Sequence, residues 1–146
     1  MNLNNNIKMS KLWQDSELMQ LKVLCITELI SAQTKIYASD ELIDNLINTI
    51  NRFLNGTVTE STWSNGEKGN NSTVCLSFHF SHKDKLGHER IEIFMELDDG
   101  GDYNTHNCCF YLDTENGLLT EFCNKLSQLK KPVFDIEVVL NDSNDF

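Results

Sequence analysis

Between Val74 and Leu97 the chain alternates apolar and polar side chains in two consecutive runs. Val74, Leu76, Phe78 and Phe80 stand against Cys75, Ser77 and His79, and Ile91, Ile93, Met95 and Leu97 stand against Arg90, Glu92, Phe94 and Glu96. A period of two gathers the apolar set on one side only when the backbone is extended, so both runs are strands with one face buried and one face polar. Residues 83–87, ending in Gly87, supply the turn between them.

The pattern extends in both directions. After Leu97 a loop carrying Asp98, Asp99, Asp102 and His106 leads into a strand over residues 108–112. Upstream, the threonine-rich stretch 57–63 is a strand followed by the turn-rich loop 64–72. Residues 18–26 and 29–38, rich in Val, Ile and Thr, read as strands or one strand pair, the alternative being a helix from Ser16 on which Leu18, Leu21 and Cys25 would share a face. Near the end Phe134, Ile136, Val138 and Leu140 alternate with Asp135 and Glu137 over residues 133–140. Two stretches switch to a period of 3.6. Ser39 caps a helix opened by Asp40 and Glu41, with Leu42, Ile43, Leu46, Ile47, Ile50 and Phe53 on one stripe and Gly56 as its stop. Asp113 or Thr114 caps a second, with Leu118, Leu119, Phe122, Cys123, Leu126 and Leu129 on its stripe, closed by Lys130, Lys131 and Pro132.

Strand runs interrupted by two amphipathic helices define an α+β fold: a mostly antiparallel sheet, both helices on one of its faces, the other face partly wet. A chain of 146 residues is one domain's worth, with the Asn-rich residues 1–15 and the tail 141–146 expected as flexible ends.

Twelve Lys and Arg against twenty-two Asp and Glu leave a net charge of -10. That balance disfavours direct contact with nucleic acid, because the cations look scattered apart from Lys83, Lys85, Lys130 and Lys131, and it favours a basic protein partner. Five cysteines, an odd number without C-x-x-C spacing, read as free thiols in a reducing cytoplasm. No apolar window approaches the length needed to span a bilayer, so neither membrane insertion nor export is expected.

Asp98, Asp99, Asp102 and His106 form the densest ionisable group. Read as a calcium loop from Asp98, however, the sixth position is Tyr103 where glycine is required and the twelfth is Cys109 where glutamate is required. Cys108 and Cys109 point to opposite faces of a strand and cannot share an ion with His106. The carboxylates Glu92, Glu96, Asp98, Asp113, Asp135 and Glu137 fall on polar strand faces with Arg90 as the cation among them, which reads as a negative surface. His79, His82 and His88 flank one hairpin, and Trp63 stands either as a packing residue or as an exposed anchor. No nucleophile and base at motif spacing and no phosphate-binding glycine loop accompany these groups. The expectation is therefore a non-enzyme with no cofactor and no bound metal, contacting its partner through Asp98, Asp99, Asp102, His106, Glu92, Glu96 and Trp63. The alternative is a small metal-dependent hydrolase using Asp98, Asp99, Asp102 and His106.

The stretches Gly87-His88-Glu89-Arg90-Ile91-Glu92-Ile93, Glu96-Leu97-Asp98-Asp99-Gly100-Gly101, His106-Asn107-Cys108-Cys109-Phe110-Tyr111 and Thr114-Glu115-Asn116-Gly117-Leu118-Leu119-Thr120-Glu121-Phe122 together resemble small bacterial immunity proteins encoded beside polymorphic toxins, of the contact-dependent growth-inhibition and wall-associated kinds. The resemblance covers residues 60–130 and rests on strand and helix signatures. It implies a non-enzymatic, cytoplasmic protein that binds its own toxin domain tightly, and that is acidic when the toxin is a basic nuclease. It carries no catalytic residues over and names no contacts.

Overall fold

The computed structural model describes residues 5–70, 73–98, 100, 106–133 and 135–141. The fold is α+β, built from two four-stranded antiparallel sheets where the sequence suggested one. In chain order the elements are β1 (Asn6–Gln14), β2 (Met19–Ile26), β3 (Ser31–Ala38), α1 (Asp40–Leu54), β4 (Glu60–Asn65), β5 (Leu76–His82), β6 (His88–Glu96), β7 (Asn107–Glu115), α2 (Asn116–Leu126), a 3-10 turn over Ser127–Lys130, and β8 (Glu137–Leu140). The first sheet runs β3-β2-β1-β8 and the second β4-β5-β6-β7.

The expected strand pair at residues 18–38 is the β2–β3 hairpin, with Leu21 opposite Ile36 and Val23 opposite Thr34. The second sheet is a meander in which the two alternating runs pair as anticipated, Phe78 opposite Ile93 and Phe80 opposite Ile91. One cluster of buried side chains draws on both sheets and both helices, with Phe53, Phe78, Phe80 and Phe122 among its largest members. Each such side chain contributes roughly 1.5–3 kcal/mol through burial. Among the described residues, no helix is long and apolar enough to cross a membrane.

Ser39 caps α1 as expected, its Oγ accepting from the Leu42 amide at 3.2 Å, and Ile43, Leu46, Ile50 and Phe53 form the buried stripe. Gly56, at φ 80°, then turns the chain where a side chain would be strained. The cap of α2 departs from expectation. Glu115 occupies the N-cap position without a side-chain bond, because Asp113 and Thr114 still belong to β7. Asp113 is held by Arg90 and Lys83, and the Thr114 hydroxyl donates to the Asn141 side-chain Oδ1.

Residues 6–14, expected to be a flexible end, are instead an interior strand: β1 lies between β2 and β8, with Ile7 and Met9 fully buried. Its pairing is interrupted once: Lys11 faces Leu21 and Trp13 faces Gln20, leaving Leu12 as the extra residue of a β-bulge. The last strand is shorter than its alternation suggested. Asp135 takes a left-handed φ of 62° and interrupts the extended run, so β8 buries Val138 and Leu140, Ile136 packs half-buried just before it, and Phe134 lies outside the described residues.

Candidate functional site

The expected contact residues do not form one surface. Asp98 and His106 are exposed at the open end of the β6–β7 hairpin, where Asp98 Oδ1 accepts from the Gly100 amide at 2.9 Å and the His106 carbonyl accepts from Leu97. Asp99 and Asp102 lie outside the described residues. Glu92 is on the outer face of the second sheet, where it accepts from the Tyr111 hydroxyl at 3.0 Å.

Glu96 and Trp63 turn inward. Glu96 is 2% exposed, its two carboxylate oxygens accepting from the Cys75 amide at 2.8 Å and the Gly69 amide at 3.1 Å, so it holds the loop before β5. Strand alternation would have put it outside, but Met95 and Glu96 are both buried because the side chain reaches back to those loop amides. Trp63 is 3% exposed, stacked on Phe78 with centroids 5.5 Å apart, and its Nε1 donates to the Leu42 carbonyl. The packing role is the one observed.

The carboxylates expected to make one negative face are dispersed. Asp113 accepts from Arg90 Nε at 2.9 Å and Lys83 Nζ at 2.7 Å, and these bonds, that to Arg90 first, hold it below the usual carboxylate range. Glu137 stands in the other sheet beside Lys8 and Ser10. What remains on the outer face of the second sheet is a mixed, cross-bonded surface. Glu60 and Thr62 both reach His79, Tyr111 is 57% exposed beside Glu92 and Arg90, and Lys68 lies 4.2 Å from the Phe94 ring centre.

Of the three histidines, His88 pairs with Asp84 and His82 stacks on Phe53 at 4.4 Å while facing the buried Glu89. Cys25, Cys75 and Cys123 are buried, Cys108 is half-buried and Cys109 is exposed. Burial pushes the Cys25 thiol up to about 12 and the Cys123 thiol up to about 11. Among the described residues, no group of three or more His, Cys, Asp or Glu is placed to hold a metal ion.

A more developed surface lies at the opposite end of the first sheet. The bulge in β1 turns both Leu12 and Trp13 outward, and Trp13 meets Tyr37 of β3 edge to face at 5.9 Å. Trp13 is 37% exposed and Tyr37 50%, and Leu12 and Leu18 are exposed with them. Beside them opens a recess of about 250 Å³ lined by Gln14 to Met19 of the β1–β2 turn and by Ser39, Asp40 and Glu41 at the start of α1. Asp15, Glu17, Asp40 and Glu41 bring four carboxylates to that lining, and the Lys11 ammonium bonds to the Gln14 side chain beside them. Asp15 is fixed by the Leu18 and Glu17 amides, both at 2.8 Å, which lower its pKa. Lys8, Lys22 and Lys35, which looked scattered in the sequence, share the outer face of the same sheet, Lys22 directly opposite Lys35. Three lysines thus share the outer face with Glu137, which pairs with Lys8, while carboxylates gather at the bulged end.

Two or more exposed large apolar groups beside a charged recess is the composition of a protein-docking patch, whereas Leu29 and Leu86 stand singly at turns. The adjacent Leu12-Trp13 pair, interrupting the Ile7 and Met9 alternation, is the sequence signal for the bulge. Comparison of the chain with protein-family models, with curated proteins and with solved structures returns no match.

Proposed function

We propose that this protein is a non-enzymatic binding protein of the immunity type, acting in the cytoplasm, that captures a basic bacterial toxin domain and neutralises it by occupying its working surface. The observation that carries this reading is the bulged end of the first sheet, where Leu12, Trp13, Leu18 and Tyr37 adjoin Asp15, Glu17, Asp40 and Glu41. Exposed aromatic anchors supply affinity when a partner desolvates them, and surrounding carboxylates favour a cationic partner and speed its approach. The net charge of -10 acts in the same direction at longer range. Free thiols throughout the described chain suit a reducing compartment.

The test is to mix the protein with the basic toxin domain encoded immediately upstream and measure the complex by size exclusion and calorimetry. Complex formation is expected, with Trp13→Ala combined with Tyr37→Ala weakening it at least a hundredfold, as loss of hot-spot aromatics does. Replacing Asp98, Asp99 and Asp102 together by Asn, or Glu92 by Gln, should weaken it less than tenfold. If the folded pair does not associate, the reading fails. If the loop or Glu92 variants lose binding while the aromatic variant keeps it, the partner sits on the second sheet.

A further inference from the structure

Four strands stand at the sheet margins: β3 and β8 in the first sheet, β4 and β7 in the second. In an antiparallel pair, successive residues alternate between bonding toward the neighbouring strand and away from it, so the observed bonds determine what each margin offers. The Leu97 amide donates to the His106 carbonyl at 2.8 Å and the Asn116 amide to the Gly87 carbonyl at 2.8 Å. The even-numbered residues of β7 therefore bond to β6, and Asn107, Cys109, Tyr111 and Asp113 direct their backbone groups outward. The Asp113 carbonyl is taken by the side-chain amides of Asn5 at 3.3 Å and Asn141 at 3.4 Å. Among the described residues, nothing takes up the outward groups of Asn107, Cys109 and Tyr111.

The other margins differ. By the same parity β3 offers Ser31, Gln33, Lys35 and Tyr37, β4 offers Glu60, Thr62 and Ser64, and β8 offers Glu137 and Val139. Each carries a charge, Lys35, Glu60 or Glu137, of the kind that discourages edge-to-edge pairing. The strip from 107 to 111 carries none.

We infer that this strip of β7 is where two copies of the chain pair, antiparallel about a two-fold axis at Cys109, so that their second sheets join into one. The three open residues are symmetric about Cys109: Asn107 faces Tyr111 of the second copy, Cys109 faces its counterpart, and every open donor and acceptor of the strip is used. Asp113, whose carbonyl is taken by Asn5 and Asn141, bounds the pairing at each end. An uncharged strip is also the place where a chain of net charge -10 meets itself without opposing like charges. So short a strip buries less than the roughly 1,200 Å² of a stable complex, which makes the association weak and concentration-dependent. Salt strengthens it, because the two acidic bodies otherwise repel. The strip belongs to the other sheet from the aromatic patch, so this pairing does not depend on toxin capture.

Sedimentation of the reduced full chain from micromolar to near-millimolar concentration, at low and high salt, tests it. A dimer fraction rising with both is expected, and Cys109→Lys should raise the dissociation constant at least tenfold while the circular dichroism spectrum is unchanged. Directly bonded residues across such a pair have Cα atoms about 5.5 Å apart, within disulfide range. Diamide, which takes up the two electrons and two protons released as the bond forms, should then yield a covalent dimer in the parent and none in Cys109→Ser. A chain that is monomeric at every concentration overturns the inference. So does a dimer indifferent to Cys109→Lys, or a covalent dimer that persists in Cys109→Ser.

Discussion

Glu96 accepts the Cys75 amide at 2.8 Å and, through its other oxygen, the Gly69 amide at 3.1 Å, so one buried carboxylate ties β6 to the loop that precedes β5. Glu96→Ala leaves both amides without that acceptor and should lower unfolding free energy by about 2–4 kcal/mol. Glu92→Ala, on the exposed side of the same strand, should cost less than about 1 kcal/mol. Urea titration of the two variants separates a structural carboxylate from a surface one.

Removing residues 1–14 should abolish cooperative folding. β1 supplies Ile7 and Met9 to the core and separates β2 from β8, so its loss opens the middle of a sheet. Circular dichroism and thermal unfolding of the truncated chain check this; a cooperative transition near that of the full chain would show that β1 is dispensable.

Acid should weaken the protein in part through Asp113. Its pKa is lowered by the hydrogen bond to Arg90 first and that to Lys83 after it, so its stabilising contribution is present above the unfolded value near 3.9 and is lost as pH falls through the lowered folded value. Because the group is partly solvated, the contribution is about 1 kcal/mol or less. Urea midpoints measured from pH 6 to pH 2 should fall less steeply for Asp113→Asn than for the parent.

Thiol labelling should separate the exposed cysteines from the deeply buried ones. Cys109 is exposed and should react within minutes at pH 8, with half-buried Cys108 following. Cys25 and Cys123, buried and raised to about 12 and about 11, hold almost no thiolate at that pH and should label only on unfolding. Mass spectrometry of time-resolved labelling reads this order, and early modification of Cys25 would mean that β2 is accessible in the native state.

Much of the fold was legible because its elements are locally consistent. The two alternating runs at 74–97, the β2–β3 hairpin and the Ser39 cap each state their geometry over a few residues. β1 was hidden for a physical reason: the Asn-rich start dilutes Ile7 and Met9, and Lys11 occupies the next inward position. Lys11 is tolerated there because its ammonium reaches the Gln14 side chain at 2.8 Å and the Lys131 carbonyl at 2.5 Å, while burial lowers its pKa. The division into two sheets was equally hidden, since it depends on β1 pairing with β8 across almost the whole chain. Of the expected contact residues, Glu96 was misread because its bonds run to a loop whose path is not written in strand periodicity. The docking patch was missed because Trp13, Tyr37 and Asp40 come together only through the bulge and the β3–α1 junction.

The pairing of β1 with β8 has a consequence for synthesis. β1, β2 and β3 leave the ribosome long before β8 and can form their hairpins at once, but the groups of Ile7, Met9 and Lys11 that bond toward β8 must wait until residue 140 has emerged. While the residues between β3 and β8 are being made, the first sheet therefore travels with an apolar, unfinished margin. The nascent chain is most exposed to mispairing just before β8 emerges, and a stop codon shortly upstream of β8 would release a product open along β1.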